Sequence, residues 1–318
     1  MILPMTDSAC TLADLHRALE AGLRRAPAYQ AGGMSLSSHL PMVLVALWRL
    51  GAPAAALERQ LALWLPRLPV AEPPPSDHRP AAALLRERLP ALLAAPEAAA
   101  FHGAIRLAYA WESGHAGELA AALQAWAGSA GAVLGPPPAA AGGEAPLRAV
   151  IAEVRADPAL ATGPRRRQTI MGELREAQAL PGFTAHLARP RLSLEALAEA
   201  SLALYLGSHD FTALHLVTGL HALRVLLAAL PDAEQGQVLR CTWRAWLAAY
   251  VSIGRPAPDW AAVHEGSAGE DDWEAAKPAL FASSNDHRIK LADAAREEWR
   301  QRGWPGYARC LRPLGAAQ

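Results

Sequence analysis

Residues 211–227 read FTALHLVTGLHALRVLL, and the spacing within this string decides the fold class. Its apolar residues recur at three- and four-residue intervals, the period of an α-helix, and not at the alternating positions of a half-buried strand. The string and its continuation to Leu230 are broken by His221 and Arg224. They therefore fall short of the ~18 uninterrupted apolar residues that a membrane helix needs. Working outward, the same periodicity predicts helices over Leu12 to Arg25, Ser38 to Leu50, Pro53 to Leu65, Pro80 to Leu93, Glu97 to Glu112 and Ala116 to Trp126. In the second half it predicts Leu147 to Arg155, Leu192 to Leu206, Asp210 to Leu230, Glu234 to Val251, Asp272 to Phe281 and Asp286 to Arg302. Alternating Val/Ile/Thr stretches of strand type are nearly absent, and abundant Ala favours helix because it loses no side-chain entropy.

Two proline-rich breaks interrupt the pattern, AEPPPSDHRP at 71–80 and LGPPPAAAGGEAP at 134–146. Three consecutive prolines cannot continue a helix. The second break is the candidate boundary between two lobes of what otherwise reads as a single helical domain over residues 1–318. The residues singled out below lie on both sides of it, so any site is shared between the halves. No internal repeat of fixed period is present, which weighs against a solenoid.

Composition limits the function classes. Apolar residues make up 52% of 318, ample for a sizeable core, and ten Trp stand against four Phe and five Tyr. Thirty basic residues balance thirty acidic ones, so no overall field favours nucleic acid or an anionic membrane. The Arg165, Arg166, Arg167 triplet reads as a solvated helix start or loop. Cys10, Cys241 and Cys310 fit no zinc spacing, and an odd, sparse count suits a reducing compartment. MILPMTDSAC lacks the charged and apolar regions of a signal peptide. The expectation is a soluble cytoplasmic protein without nucleic-acid or membrane partners; its oligomeric state is not legible.

The eleven histidines differ in setting. His16, His78, His115, His186 and His264 lie near predicted helix ends or in polar sequence and read as surface residues. His39, His102, His215 and His287 lie within apolar helical sequence. Ser37 or Ser38 is the candidate cap behind His39, and Ser284, Asn285 or Asp286 the candidate cap before His287. Gly103, beside His102, lets something approach the backbone closely. For one buried histidine the simpler reading is a satisfied core imidazole. Four on separate helices weigh the other way, because burying several imidazoles without a shared purpose is costly. Neutral imidazole is a common ligand for iron, copper, nickel and zinc. Neither HExxH nor a cysteine pair is present, so a site has to be assembled from distant helices, as in the cores of helical bundles.

Of the thirty basic residues only two are lysines, Lys277 and Lys290. Lys290 lies three residues after His287 and hence on the same helix face. A buried lysine loses its proton far more readily than arginine, and the neutral amine can take up CO2 to form a carbamate, an anionic oxygen ligand. The competing reading packs the stem and lets the ammonium reach water or Asp293. On periodicity alone both readings stand.

Four blocks, SSHLPMVLVALWRLGA (37–52), FHGAIRLAYAWE (101–112), HLVTGLHALRVLL (215–227) and DHRIKLADA (286–294), occur in the order and approximate spacing of the questin oxidase-like family, which the chain resembles over residues 37–294. Its members include fungal enzymes that oxygenate and open rings of aromatic polyketides such as anthraquinones, without flavin motifs. The resemblance implies a non-haem Fe(II) site held by His39, His102, His215, His287 and a carboxylated Lys290. These would fill five positions of an octahedron and leave one for O2, water or a substrate oxygen. Where this chain has Arg106, fungal relatives often carry a further histidine. His221 follows His215 by six residues, about 240° around the helix, which argues against both binding one metal. His221 and His209 are kept as neighbours of the site or of the substrate pocket.

Arg106, Tyr109, Trp111 and Trp48 are candidates to line that pocket, with Arg106 polarising a quinone carbonyl or phenolate; core aromatics and a surface arginine are the plainer reading of each. Glu112 and Asp286 are candidates to accept imidazole N–H bonds, although capping is the simpler role for Asp286. The fold expectation is an all-α, irregular bundle of about 12–15 helices with the metal site in its core. The functional expectation is an iron-dependent oxygenase that oxygenates or cleaves a ring carbon–carbon bond of an aromatic or quinone-like substrate with O2, in a Baeyer–Villiger-like or dioxygenase outcome. One alternative is an HD-type metal-dependent hydrolase, prompted by His209-Asp210. The other is a non-catalytic helical binding protein. No GxGxxG follows a strand; the sequence neither supports nor excludes the NADPH that some family members need.

Overall fold

The computed structural model describes residues 8–73, 79–129, 134, 143–163 and 169–312. The expectations for His78, for the Arg165–Arg167 triplet and for most of the 134–146 boundary lie outside these residues. Among them the chain forms fourteen α-helices and one two-stranded hairpin. The first half comprises α1 (Leu12–Leu23), β1 (Ala28–Ala31), β2 (Met34–Ser37), α2 (Leu40–Arg49), α3 (Ala54–Trp64), α4 (Ala81–Leu92), α5 (His102–Ser113) and α6 (Ala116–Ser129). The second half comprises α7 (Leu147–Ala156), α8 (Ile170–Gln178), α9 (Leu194–Ser208), α10 (Phe211–Leu227), α11 (Asp232–Ser252), α12 (Trp260–His264), α13 (Glu270–Phe281) and α14 (Asp286–Arg302). The fold is all-α apart from the antiparallel hairpin, which pairs Ala28 with Ser37 and Ala31 with Met34. No described helix is long and apolar enough to cross a membrane.

Burial follows the sequence pattern. Along α10 every residue from Thr212 to Leu223 is buried, and in α2 every residue from Leu40 to Leu47. These apolar helices form the centre. Helix α2 packs on α5, α5 on α10, α10 on α14 and α14 back on α2, closing a ring of four. The sequence of α14 is far more polar, yet Lys290, Asp293, Arg296 and Glu298 are all buried. Buried charges need partners. Asp293 accepts from Arg49 Nε at 3.1 Å, and Glu298 accepts from Arg224 Nε at 2.5 Å and Arg302 Nε at 2.9 Å. Arg49 also meets Glu112 at 2.5 Å and Glu297 at 3.2 Å, so one guanidinium ties α2, α5 and α14 together.

Helix α5 starts at His102, later than the periodicity predicts. Ala99, Ala100 and Phe101 all adopt left-handed backbone conformations, with φ of 52°, 59° and 68°, which ends the preceding turn. The hairpin, α8 and α12 are not anticipated by the apolar pattern. The hairpin turns through Gly32 and Gly33, at φ of 57° and 79°, a geometry that a Gly-Gly pair adopts without a side-chain clash.

Candidate metal centre

Each helix of the central ring contributes one histidine from its N-terminal end. His39 is the N-cap of α2, His102 the first residue of α5, His215 lies in the second turn of α10, and His287 is the second residue of α14. The four imidazoles meet. His39 stacks on His102 with ring centroids 4.4 Å apart and lies 4.5 Å from His287. His215 lies 4.9 Å from His102 and 5.1 Å from His287. For His39, His102 and His287, one ligating atom from each lies within 4.8 Å of the other two.

The hydrogen bonds sort the ring nitrogens. His102 Nδ1 lies 2.7 Å from the Ala99 carbonyl and His215 Nδ1 lies 2.8 Å from the Phe211 carbonyl, so each Nδ1 carries the proton and donates. His39 Nδ1 is bonded to Asp286, whose other oxygen lies 3.6 Å from His287 Nδ1. The Nε2 atoms of His102, His215 and His287 are buried without a hydrogen-bond partner. A buried polar atom left unpaired is costly. Three such nitrogens lie in one cluster, those of His102 and His215 set by a hydrogen bond at the opposite nitrogen and that of His287 opposite a carboxylate oxygen 3.6 Å away, and this matches the way metal-ligating histidines are oriented. The cluster fits a metal ion.

Electrostatics keep the rings neutral. Burial, then the Lys290 charge, lowers His39 to about 3 against the opposing pull of Asp286. Burial also lowers His102 and His215, with the neighbouring rings and Lys290 adding to it, and lowers His287, with Lys290 adding and Asp286 opposing. The convergence of four helix N-termini works in the same direction, since each presents partial positive charge. Lys290 is 2% exposed, and burial lowers its amine to about 8 although Asp286 pulls it upward. Asp286 is held below the ordinary carboxyl range: burial opposes this, but the imidazoles of His287 and His39 prevail.

The rings form part of the wall of a cavity of about 710 Å³. The hairpin strands, α6 and α8 supply other walls, with Tyr29, Met34, Trp126, Ile170 and Phe211 among the apolar lining. Phe211 lies edge-on to His215 and His287 at 4.7 and 4.6 Å. What approaches the backbone at Gly103 is the Trp126 ring.

Other expected site residues fall elsewhere. Arg106 lines the cavity, paired with Glu118. Tyr109, Trp48 and Trp111 do not line it. Tyr109 is buried behind the site, its hydroxyl 3.5 Å from the Lys290 carbonyl, because its position on α5 faces α14. Glu112 binds Arg49 and, among the described residues, no imidazole. Asp293, expected as the alternative partner of Lys290, also binds Arg49. His221 points away from the cluster and bonds Glu298 at 3.0 Å, as its angle on α10 requires. His209 is the exposed, left-handed C-cap of α9, and Asp210 caps α10 through the Thr212 N–H, so the pair that prompted a hydrolase reading lies outside the cluster. Asp286 orients an imidazole while Asn285 does the capping; at α2 the His39 side chain does not cap, and Ser38 Oγ accepts from the Leu40 N–H at 3.4 Å. His115 and His186, expected at the surface, are buried, with ring nitrogens bonded to the Glu118 N–H and to Asp157.

The family model described as Questin oxidase-like matches residues 81–295. The chain belongs to the questin oxidase-like family. The questin oxidase-like match contains His102, His215, His287 and Lys290 but begins after His39. His39 joins this set through geometry, by its stacking on His102. No curated protein matches the chain. Questin oxidase-like membership supports an oxidoreductase of oxygenase type.

Proposed function

We propose that the protein is a non-haem iron-dependent oxygenase that oxygenates or cleaves a ring carbon–carbon bond of an aromatic or quinone-like substrate. His39, His102, His215, His287 and a carboxylated Lys290 would hold Fe(II). The observation that carries this reading is the set of three buried, unpartnered Nε2 atoms in one four-histidine cluster. Family membership supports an oxygenase-type reaction in general.

Bound Fe(II) would supply a site for O2 and the one-electron chemistry that joins O2 to a closed-shell organic molecule. The chain's own groups do the rest. The carbonyls of Ala99 and Phe211 and the Asp286 carboxylate fix the imidazole protons on Nδ1. With its amine lowered to about 8, Lys290 presents more of the neutral form than an exposed lysine. Its nitrogen adds to CO2, loses one proton and becomes an anionic carbamate. The apolar walls, Phe211 and Trp126 among them, bind a flat ring and exclude water from the reacting atoms. At about 710 Å³ the cavity lies within the usual range for small-molecule sites.

Metal analysis of the purified chain, oxygen uptake with an anthraquinone panel and isotope-labelled product analysis test the proposal. Iron bound in a near-stoichiometric amount and labelled oxygen in a ring-opened or lactone product are the expected results. Iron-loaded protein that binds such compounds yet takes up no O2, with or without reductant, would overturn it.

A further inference from the structure

His102 and Arg106 stand one turn apart on α5, and both line the same cavity. At that spacing their Cβ atoms are about 5–6 Å apart, so a planar molecule beside the imidazoles reaches the guanidinium without leaving the cavity. Arg106 donates from Nε to Glu118 Oε1 at 2.6 Å and from Nη2 to Glu118 Oε2 at 3.0 Å. Glu118 is 2% exposed and lies outside the cavity wall. It therefore takes the side edge of the guanidinium and leaves the end-on fork of Nη1 and Nη2. Among the described residues no hydrogen bond from Nη1 is present beside the two to Glu118.

This arrangement is more than a neutralised surface pair. The carboxylate holds the planar guanidinium in one orientation, so a ligand does not have to order it. A ligand without acceptors would strip water from the free N–H groups and return nothing, whereas two coplanar oxygens would satisfy the fork. The helix N-termini that meet at the histidines favour negative charge in the same cavity.

Resting on the assignment of this cavity to the organic substrate, we infer that Arg106 determines specificity and selects planar aromatic molecules carrying two adjacent acceptor oxygens. A carboxylate and a hydroxyl beside a carbonyl share this chemistry. Glu118 is the positioning residue that presents the fork.

Isothermal titration of the metal-free chain tests this with three probes: naphthoate, a hydroxynaphthoquinone with its hydroxyl beside a carbonyl, and methylnaphthalene. At least one oxygenated probe should bind roughly ten- to hundredfold more tightly than methylnaphthalene. The tighter of the two names the natural oxygen pair. In the Arg106→Met/Glu118→Gln double variant, which leaves no unpaired buried carboxylate, the preference should vanish. Arg106→Lys, which keeps the charge but not the fork, should recover only a minor part. Equal binding of all three probes, or an undiminished preference in the double variant, would overturn the inference. Metal content measured on each protein as purified, before the metal is removed for titration, separates the two proposals. A wild-type chain that shows the preference but retains no iron defeats the iron reading alone; iron retained without the preference defeats this one alone.

Discussion

His39 and Asp286, 247 positions apart in the chain, are joined by a hydrogen bond from the imidazole Nδ1 to the carboxylate. This bond joins α2 to the start of α14 and leaves Nε2 as the His39 nitrogen available to a metal. Replacing Asp286 by Asn removes the negative charge while keeping an acceptor of similar shape. Metal affinity should fall about 10–100-fold, the usual effect of losing a partner behind a ligand. Chelator competition measures it, and an unchanged affinity would show that the bond does not orient a ligand.

Lys290 sets function against stability. Burying its amine is unfavourable in the metal-free protein, as its lowered value of about 8 indicates. Lys290→Met should therefore raise the melting temperature of the metal-free chain, by about 1–3 kcal/mol of stability, while abolishing metal retention. Lys290→Arg should also lose metal, since guanidinium stays protonated. In Lys290→Ala, added bicarbonate or a short carboxylate should restore part of the binding. Iron retained by the Arg variant would exclude a lysine-derived ligand.

Acid should destabilise the metal-free protein through the same cluster. The unfolded chain's imidazoles take up protons near pH 6.5, whereas folded His39 resists protonation down to about 3. The unfolded state therefore binds more protons across that window, and stability falls as pH drops from about 6.5 toward 3. The slope is at most about 1.4 kcal/mol per pH unit for each such histidine. His39→Gln should make the pH dependence of the melting temperature shallower by up to one proton. A wild-type melting temperature that stays flat between pH 7 and 4 would count against neutral buried rings.

A methyl group at Gly103 would lie 2.7 Å from atoms of the Trp126 ring. Trp126 is buried, and the atoms met are Cγ, Cδ1 and Cδ2 beside the ring's attachment, so the whole ring has to shift. Gly103→Ala should cost about 1–3 kcal/mol despite alanine's better helix propensity, because over-packing a filled core forces side chains off their minima. Thermal melts measure the loss. Because Trp126 lines the cavity, ligand binding should weaken together with stability.

The central helices are legible because their apolar residues repeat at the period of the structure they form. Helix α14 keeps the boundaries that the sequence predicts, Asp286 to Arg302. The four imidazoles can be picked out by a polar ring set in apolar sequence. The partners that complete the site leave no local trace. Glu118 pairs with Arg106 across two helices, and Arg49 gathers Glu112, Asp293 and Glu297 from two others. Periodicity reports which face of a helix is buried but not what lies opposite, so it cannot separate Tyr109, Trp111 and Trp48, which lie off the cavity, from Phe211, which lines it. The hairpin strands carry no such signal because AYQA and MSLS lack the alternation of Val, Ile and Thr that marks a strand.

The left-handed turn at Ala99–Phe101 bears on any attempt to move this site to another scaffold. Three successive non-glycine residues in that conformation cost roughly 1–2 kcal/mol each. The same turn delivers the Ala99 carbonyl to His102 Nδ1. An idealised four-helix bundle carrying the same histidines on regular helices would be free of this strain and would also lack that acceptor, leaving the His102 ring free to rotate or to change tautomer. A transplant has to carry residues 99–101 along with the ligands, and a host chosen for unstrained geometry is the one that would reject them.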